Sequence, residues 1–144
     1  MSEVKDPEQS AQHSFAQLLE MQNLKRESGY AQCELLIGDK HLRSLNMLHG
    51  GVTASLLDST MGAAAGTTAP AEHFVVTVQL NVNYIRPAWH GERIITKGNV
   101  IHTGQKTAVT RGEIYTSKDE LVASASGTFM YIPRYEAKDQ PDIP

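Results

Sequence analysis

The stretch from Leu48 to Gly66, Leu-His-Gly-Gly-Val-Thr-Ala-Ser-Leu-Leu-Asp-Ser-Thr-Met-Gly-Ala-Ala-Ala-Gly, restricts the possible folds more than any other part of the chain. Gly50 and Gly51 open it, and from Val52 to Ala65 nearly every turn is aliphatic on all sides. A helix of that character is surrounded by protein rather than lying on a surface. One carboxylate interrupts the run, Asp58. An ionised Asp in such a segment is costly unless it is paired, hydrogen-bonded or facing a cleft, so its presence needs a reason.

The remaining segments supply the wrapping. Asp6-Pro7 reads as the cap and first-turn pair of a short helix running to about Asn23, with Phe15, Leu18 and Leu19 as its apolar stripe. Tyr30 to Ile37 alternates, with Ala31, Cys33, Leu35 and Ile37 on one side, and stops at Gly38-Asp39. The clearest strand is Phe74 to Tyr84. Strict alternation puts Phe74, Val76, Val78, Leu80, Val82 and Tyr84 on one face and Thr77, Gln79, Asn81 and Asn83 on the other, with Val75 an apolar exception. Arg93 to His102 and Thr107 to Thr116 read as a hairpin turned at Gly104-Gln105-Lys106. A last strand, Leu121 to Ile132, has Ala123, Ala125 and Gly127 in the middle of one face, where something bulky must approach closely. Hairpin-linked strands after a helix predict an α+β chain whose antiparallel sheet holds the apolar helix in its concave face.

At 144 residues the chain can bury roughly 70% of its unfolded surface around one core. The expected organisation is an N-terminal helical segment over 1–28, the sheet-and-helix domain over 29–132 and a charged tail over 133–144. Thirteen Lys and Arg stand against sixteen Asp and Glu, a net charge of -3, so no nucleic-acid or anionic-membrane footprint is expected. The single cysteine, Cys33, excludes an intramolecular disulfide, and no apolar run suggests a signal peptide or membrane span, so a cytoplasmic location is the default expectation. The six histidines show no ligand spacing, and no metal is expected. No phosphate-binding glycine loop and no Gly-x-Ser-x-Gly elbow is present.

What remains is the start of the central helix and Asp58. First-turn amides lack intrahelical partners and sit at the positive end of the helix dipole, so they can receive a carbonyl oxygen that is gaining charge. Glycine at Gly50 and Gly51 lets a substrate approach the backbone, and His49 can orient the loop or simply bond to backbone. Asp58 lies nine residues beyond His49, roughly 13.5 Å along the axis, too far to share one reacting carbon with the Gly50 amide of its own chain. A second copy could supply it. A carboxylate on an exposed helix stripe or in a salt bridge is the plain alternative.

His49-Gly50-Gly51-Val52 through Asp58, followed by Val78-Gln79-Leu80-Asn81-Val82-Asn83-Tyr84-Ile85-Arg86-Pro87-Ala88, resembles the hot-dog-fold acyl-CoA thioesterases of the phenylacetate-degradation type. The likeness runs from about Leu42 to Met130 and includes Gly91, Gly104 and the ending Leu121 to Phe129. It implies a sheet wrapped around the Gly50 to Gly66 helix, edge-to-edge pairing into a homodimer, and two dimers in a homotetramer, with active sites at the dimer interface. The implied reaction is hydrolysis of an acyl-CoA thioester, without metal or redox cofactor, coenzyme A being part of the substrate. By position, the Gly50 amide polarises the thioester carbonyl, and Asp58 of the second subunit is general base or nucleophile. Thr77 positions the water, and His49 holds the oxyanion loop. Tyr84, His102, Gly104, Gln105 and Lys106 fall on the coenzyme A surface, although Lys106 reads equally well as an exposed turn lysine.

One departure stands out. Many relatives carry Asn six residues before the His of the motif, where this chain has Arg43, and Asn46 stands three before it, where relatives often have Gly. Three readings follow: Asn46 substitutes through a rearranged loop, Arg43 reads a negatively charged acyl group, or the catalytic site is altered. A non-catalytic acyl-CoA binder is the alternative function, and a dehydratase fits less well because the expected layout of His and acid is absent.

Overall fold

The structure, a computed structural model, describes residues 14–134. Its organising element is the expected helix, α2 (Gly50–Gly66), preceded by a short α1 (Phe15–Leu18). Six strands follow the order β1-β2-β4-β5-β6-β3 in one sheet: β1 (Gln22–Glu27), β2 (Tyr30–Leu36), β3 (His73–Tyr84), β4 (Arg93–Thr103), β5 (Thr107–Thr116) and β6 (Leu121–Pro133). All pairings are antiparallel. The sheet curls around α2, which touches every strand.

Leu56, Leu57, Met61, Ala64 and Ala65 are fully buried against the concave face, with Cys33, Leu35, Ile94, Ile114 and Phe129 opposite. The helix seats closely because the strands beneath it lack side chains. A Cβ on Gly112 would stand 2.6 Å from Met61 Sδ, and one on Gly98 would stand 3.0 Å from Met61 Cα and from the Thr60 carbonyl. Met61 is thus the bulky group that the small residues of β6 anticipate, its Cε reaching to 3.0 Å of the corresponding position on Gly127. Cys33 is a packing residue, its Sγ 3.0 Å from Thr60 Oγ1, and burial pushes its thiol up from the usual cysteine range.

The N-terminal region departs from expectation. A helix reaching Asn23 is not observed: α1 ends at Leu18, Glu20 and Asn23 adopt positive φ, and Gln22–Glu27 forms β1. Every residue of β1 is exposed, so it carries no alternation for a sequence reading to detect; only backbone pairing with β2 makes it a strand. Of the predicted stripe only Leu19 is buried, while Phe15 and Leu18 face solvent. The expected helix start at Asp6-Pro7 and the tail from residue 135 onward lie outside the described residues.

The facing of β3 is also corrected. Its pairing with β6 shifts between Thr77 and Gln79, a bulge that leaves Val78 unpaired and exchanges the two faces of the strand. Before the bulge Val75 packs against the core and Thr77 reaches the helix; after it Leu80 and Val82 do so. Val76 and Val78, placed by alternation on one face with Leu80 and Val82, are exposed at 39% and 56%.

Candidate active site

The helix start is held by side chains on both sides. His49 is the N-cap of α2, and its Nδ1 accepts from the Gly51 N–H at 2.8 Å, which leaves the exposed Nε2 to carry the ring proton. Tyr84, brought over from β3, donates its hydroxyl to the Gly50 carbonyl at 2.8 Å. The first-turn amides are therefore spoken for with one exception: the Gly50 N–H has no hydrogen-bond acceptor among the described residues. It borders a cavity of about 330 Å³ lined by Arg43, Thr53, Tyr84 and Arg86 among apolar neighbours that include Leu48 and Val122.

The approach loop decides which of Arg43 and Asn46 meets that cavity. The Leu42–Leu48 bridge and the Arg43 N–H donating to the Met47 carbonyl at 2.9 Å close a tight turn, and Leu45 and Asn46 occupy its left-handed positions at φ 66° and 59°. Arg43 lines the cavity, whereas Asn46 does not. The backbone accounts for Asn46, because Asn tolerates the left-handed region that relatives satisfy with Gly. Asn46→Gly is accordingly expected to melt within a degree or two of the parent, and Asn46→Ala to lose about 1 kcal/mol, read from denaturant midpoints.

Asp58 sits half-buried on the stripe of α2 that the sheet leaves open. Thr77 Oγ1 donates to its Oδ1 at 2.7 Å, and Oδ2 has no partner among the described residues. Eight residues separate Gly50 from Asp58, about 12 Å of helix, and Asp58 does not border the Gly50 cavity. One chain therefore keeps apart an open amide beside a cavity and a carboxylate bonded to a hydroxyl.

The hairpin residues fall elsewhere again. His102, Gly104, Gln105 and Lys106 lie at the far end of α2, tied there by a chain of hydroxyls in which Thr103 Oγ1 and Thr68 Oγ1 both bond Tyr131 OH, at 2.6 and 2.7 Å. Thr68 itself caps the helix C-terminus through the Ala65 carbonyl at 2.9 Å. Alongside opens a cavity of about 440 Å³ bordered by Arg26, His73 and Arg134, with no acidic residue on its wall. Sequence reading missed these three residues because they come from separate segments with no shared motif. Among the described residues no group of three or more His, Cys, Asp and Glu is placed to hold a metal ion. No helix there is long and apolar enough to cross a membrane.

Residues 45–123, more than half of the chain, match the thioesterase superfamily. The chain belongs to that superfamily. The medium/long-chain acyl-CoA thioesterase YigI of Escherichia coli is 32% identical over 98 residues, covering 59% of this chain and 63% of YigI, so the chain spans less than two thirds of that relative. Among solved structures, thioesterase HI1161 of Haemophilus influenzae superposes with a TM-score of 0.80 at 20% identity, covering 88% of this chain and 87% of its own. A variant of the phenylacetic acid degradation protein PaaI from Thermus thermophilus has a TM-score of 0.74 at 27% identity, covering 81% and 96%. The fold is the hot-dog fold of these thioesterases, a sheet wrapped around one long helix. In this thioesterase-superfamily chain the matched segment includes Gly50, Asp58, Thr77 and Tyr84.

Proposed function

We propose that the protein hydrolyses acyl-CoA thioesters to a free acid and coenzyme A at a site shared by two copies of the chain. The observation that carries this reading is the pairing of an acceptor-free Gly50 N–H with a remote, hydroxyl-bonded Asp58. The thioester oxygen docks on the Gly50 amide, where the helix dipole favours the charge that develops on it. Asp58 of the second copy takes a proton from water as the water oxygen attacks the carbonyl carbon. The tetrahedral intermediate then collapses with cleavage of the carbon–sulfur bond, and the proton passes to the departing thiolate. Thr77 occupies one carboxylate oxygen and so turns the other towards the water.

The open edge of β3 supports the two-copy arrangement. It is a long edge strand without a single Lys, Arg, Asp or Glu, and Val76 and Val78 are exposed on it, features that edges avoiding association do not keep. Family likeness extends this to a pair of dimers. Lys106 of the hairpin and the arginine-bordered cavity at the far end of α2 suit the phosphates of coenzyme A presented from a neighbouring site.

Thr77→Val is expected to lower kcat about tenfold or more, the worth of a hydrogen bond to a charged group, with little change in KM. The reading as a whole is tested by thiol release from short, medium, long and aromatic acyl-CoAs with the purified protein. Release from at least one class is expected; silence across the panel from a folded dimer would overturn hydrolysis. Arg43 in the place of the usual Asn favours a second reading, a binder without turnover, and tight acyl-CoA binding with no thiol release would establish it.

A further inference from the structure

The cavity beside the Gly50 amide carries charge of one sign only. Arg43 and Arg86 both line it, and no Asp or Glu does. Arg86 is compensated by Glu120 at 3.1 Å. Arg43 is exposed, and among the described residues its guanidinium has only a 3.4 Å contact with the Ser44 hydroxyl. The rest of the wall is largely apolar, with Met47, Leu48, Ile85, Ala88 and Val122. A plain alkyl chain in such a cavity would leave the Arg43 guanidinium without a counter-charge. A carboxylate at the end of the chain would instead form a forked, charge-assisted pair.

We infer that Arg43 selects acyl groups ending in a carboxylate, so that the favoured substrates are coenzyme A thioesters of dicarboxylic acids. The inference rests on the hydrolysis reading and names its substrate class. The anion that meets Arg43 has two conceivable sources, the acyl chain and the phosphates of coenzyme A. Geometry favours the acyl chain. Arg43 and the Gly50 amide border one cavity of only about 330 Å³, whereas the pantetheine arm holds the phosphates far from the thioester carbonyl. The turn that places Arg43 here is the one whose left-handed positions are filled by Leu45 and Asn46, so the point at which the Arg43 side chain leaves the backbone is fixed.

The experiment compares adipoyl with hexanoyl thioesters, each carried on coenzyme A and on N-acetylcysteamine, which has no phosphates. Wild type is expected to prefer adipoyl by about tenfold or more in kcat/KM on both carriers. Arg43→Gln should bring that ratio to about one, and Arg43→Lys, which keeps the charge but not the fork, should retain part of it. Circular dichroism melts check that the variants fold. Loss confined to both coenzyme A thioesters, with the carrier analogues unaffected, would assign Arg43 to phosphate and overturn the inference, as would a wild-type preference for hexanoyl. If wild type releases thiol from none of the four, hydrolysis itself falls. Titration calorimetry of the two coenzyme A thioesters then decides selectivity alone, with tighter adipoyl binding that Arg43→Gln abolishes supporting it and equal binding overturning it.

Discussion

Asp58→Asn is expected to cut kcat for acyl-CoA hydrolysis by about 10²–10⁴-fold, with KM and thermal midpoint close to the parent values. The amide is nearly isosteric, and its oxygen still accepts from Thr77 Oγ1, which donates to Asp58 Oδ1 at 2.7 Å in the parent, so the local geometry survives. What disappears is the capacity to take a proton from water. The measurement is thiol release at saturating substrate with both proteins side by side. Turnover near the parent level would mean that water is deprotonated elsewhere and would sink the assigned mechanism.

The same variant tests whether the site is shared. Gly50 is the first residue of α2 and follows His49 at φ -67° and ψ 133°, a backbone that accepts proline next. Gly50→Pro therefore removes the N–H proposed as oxyanion donor with little cost to the helix, provided Tyr84 yields, since a Cβ on Gly50 would stand 3.3 Å from its ring. Each variant alone should be inactive. Mixed dimers of Gly50→Pro with Asp58→Asn place both defects in one site and leave the other whole, so random assortment should restore about a quarter of parental activity. A site built within one chain would restore none.

Much of this was legible in the sequence wherever burial writes a period into the residues. The all-round apolar run of α2, the alternation of β2 and the β4–β5 hairpin correspond to elements whose side chains meet the core. β1 was invisible because it is solvated on all its residues and owes its existence to backbone pairing. In β3 the bulge reverses the code midway, so alternation grouped Val76 with Leu80 and Val82 although they lie on opposite faces. The 12 Å of helix between Gly50 and Asp58 followed from chain geometry alone. That Arg43 rather than Asn46 borders the cavity did not, because it depends on two consecutive left-handed residues that no periodicity announces.

Gly98→Val is expected to destabilise the fold by about 3 kcal/mol or more, read from denaturant unfolding midpoints. Helix and sheet meet here backbone to backbone: a Cβ on Gly98 would stand 3.0 Å from Met61 Cα, 3.0 Å from the Thr60 carbonyl and 3.1 Å from Met61 N. None of these atoms can rotate away, so even the first added carbon is crowded and two further methyls must displace the helix. Gly112 offers the control. Its Cβ would strike Met61 Sδ at 2.6 Å, the far end of a flexible side chain, so Gly112→Ala should cost less, and Met61→Ala should recover part of the loss in the double variant. Met61→Ala should recover almost nothing for Gly98→Val, because the obstructing atoms there belong to the helix backbone. Equal rescue at both positions would show that the helix rests on its side chains and can shift as a body. The placement of Asp58 and Gly50 would then be softer than a site divided between two copies requires.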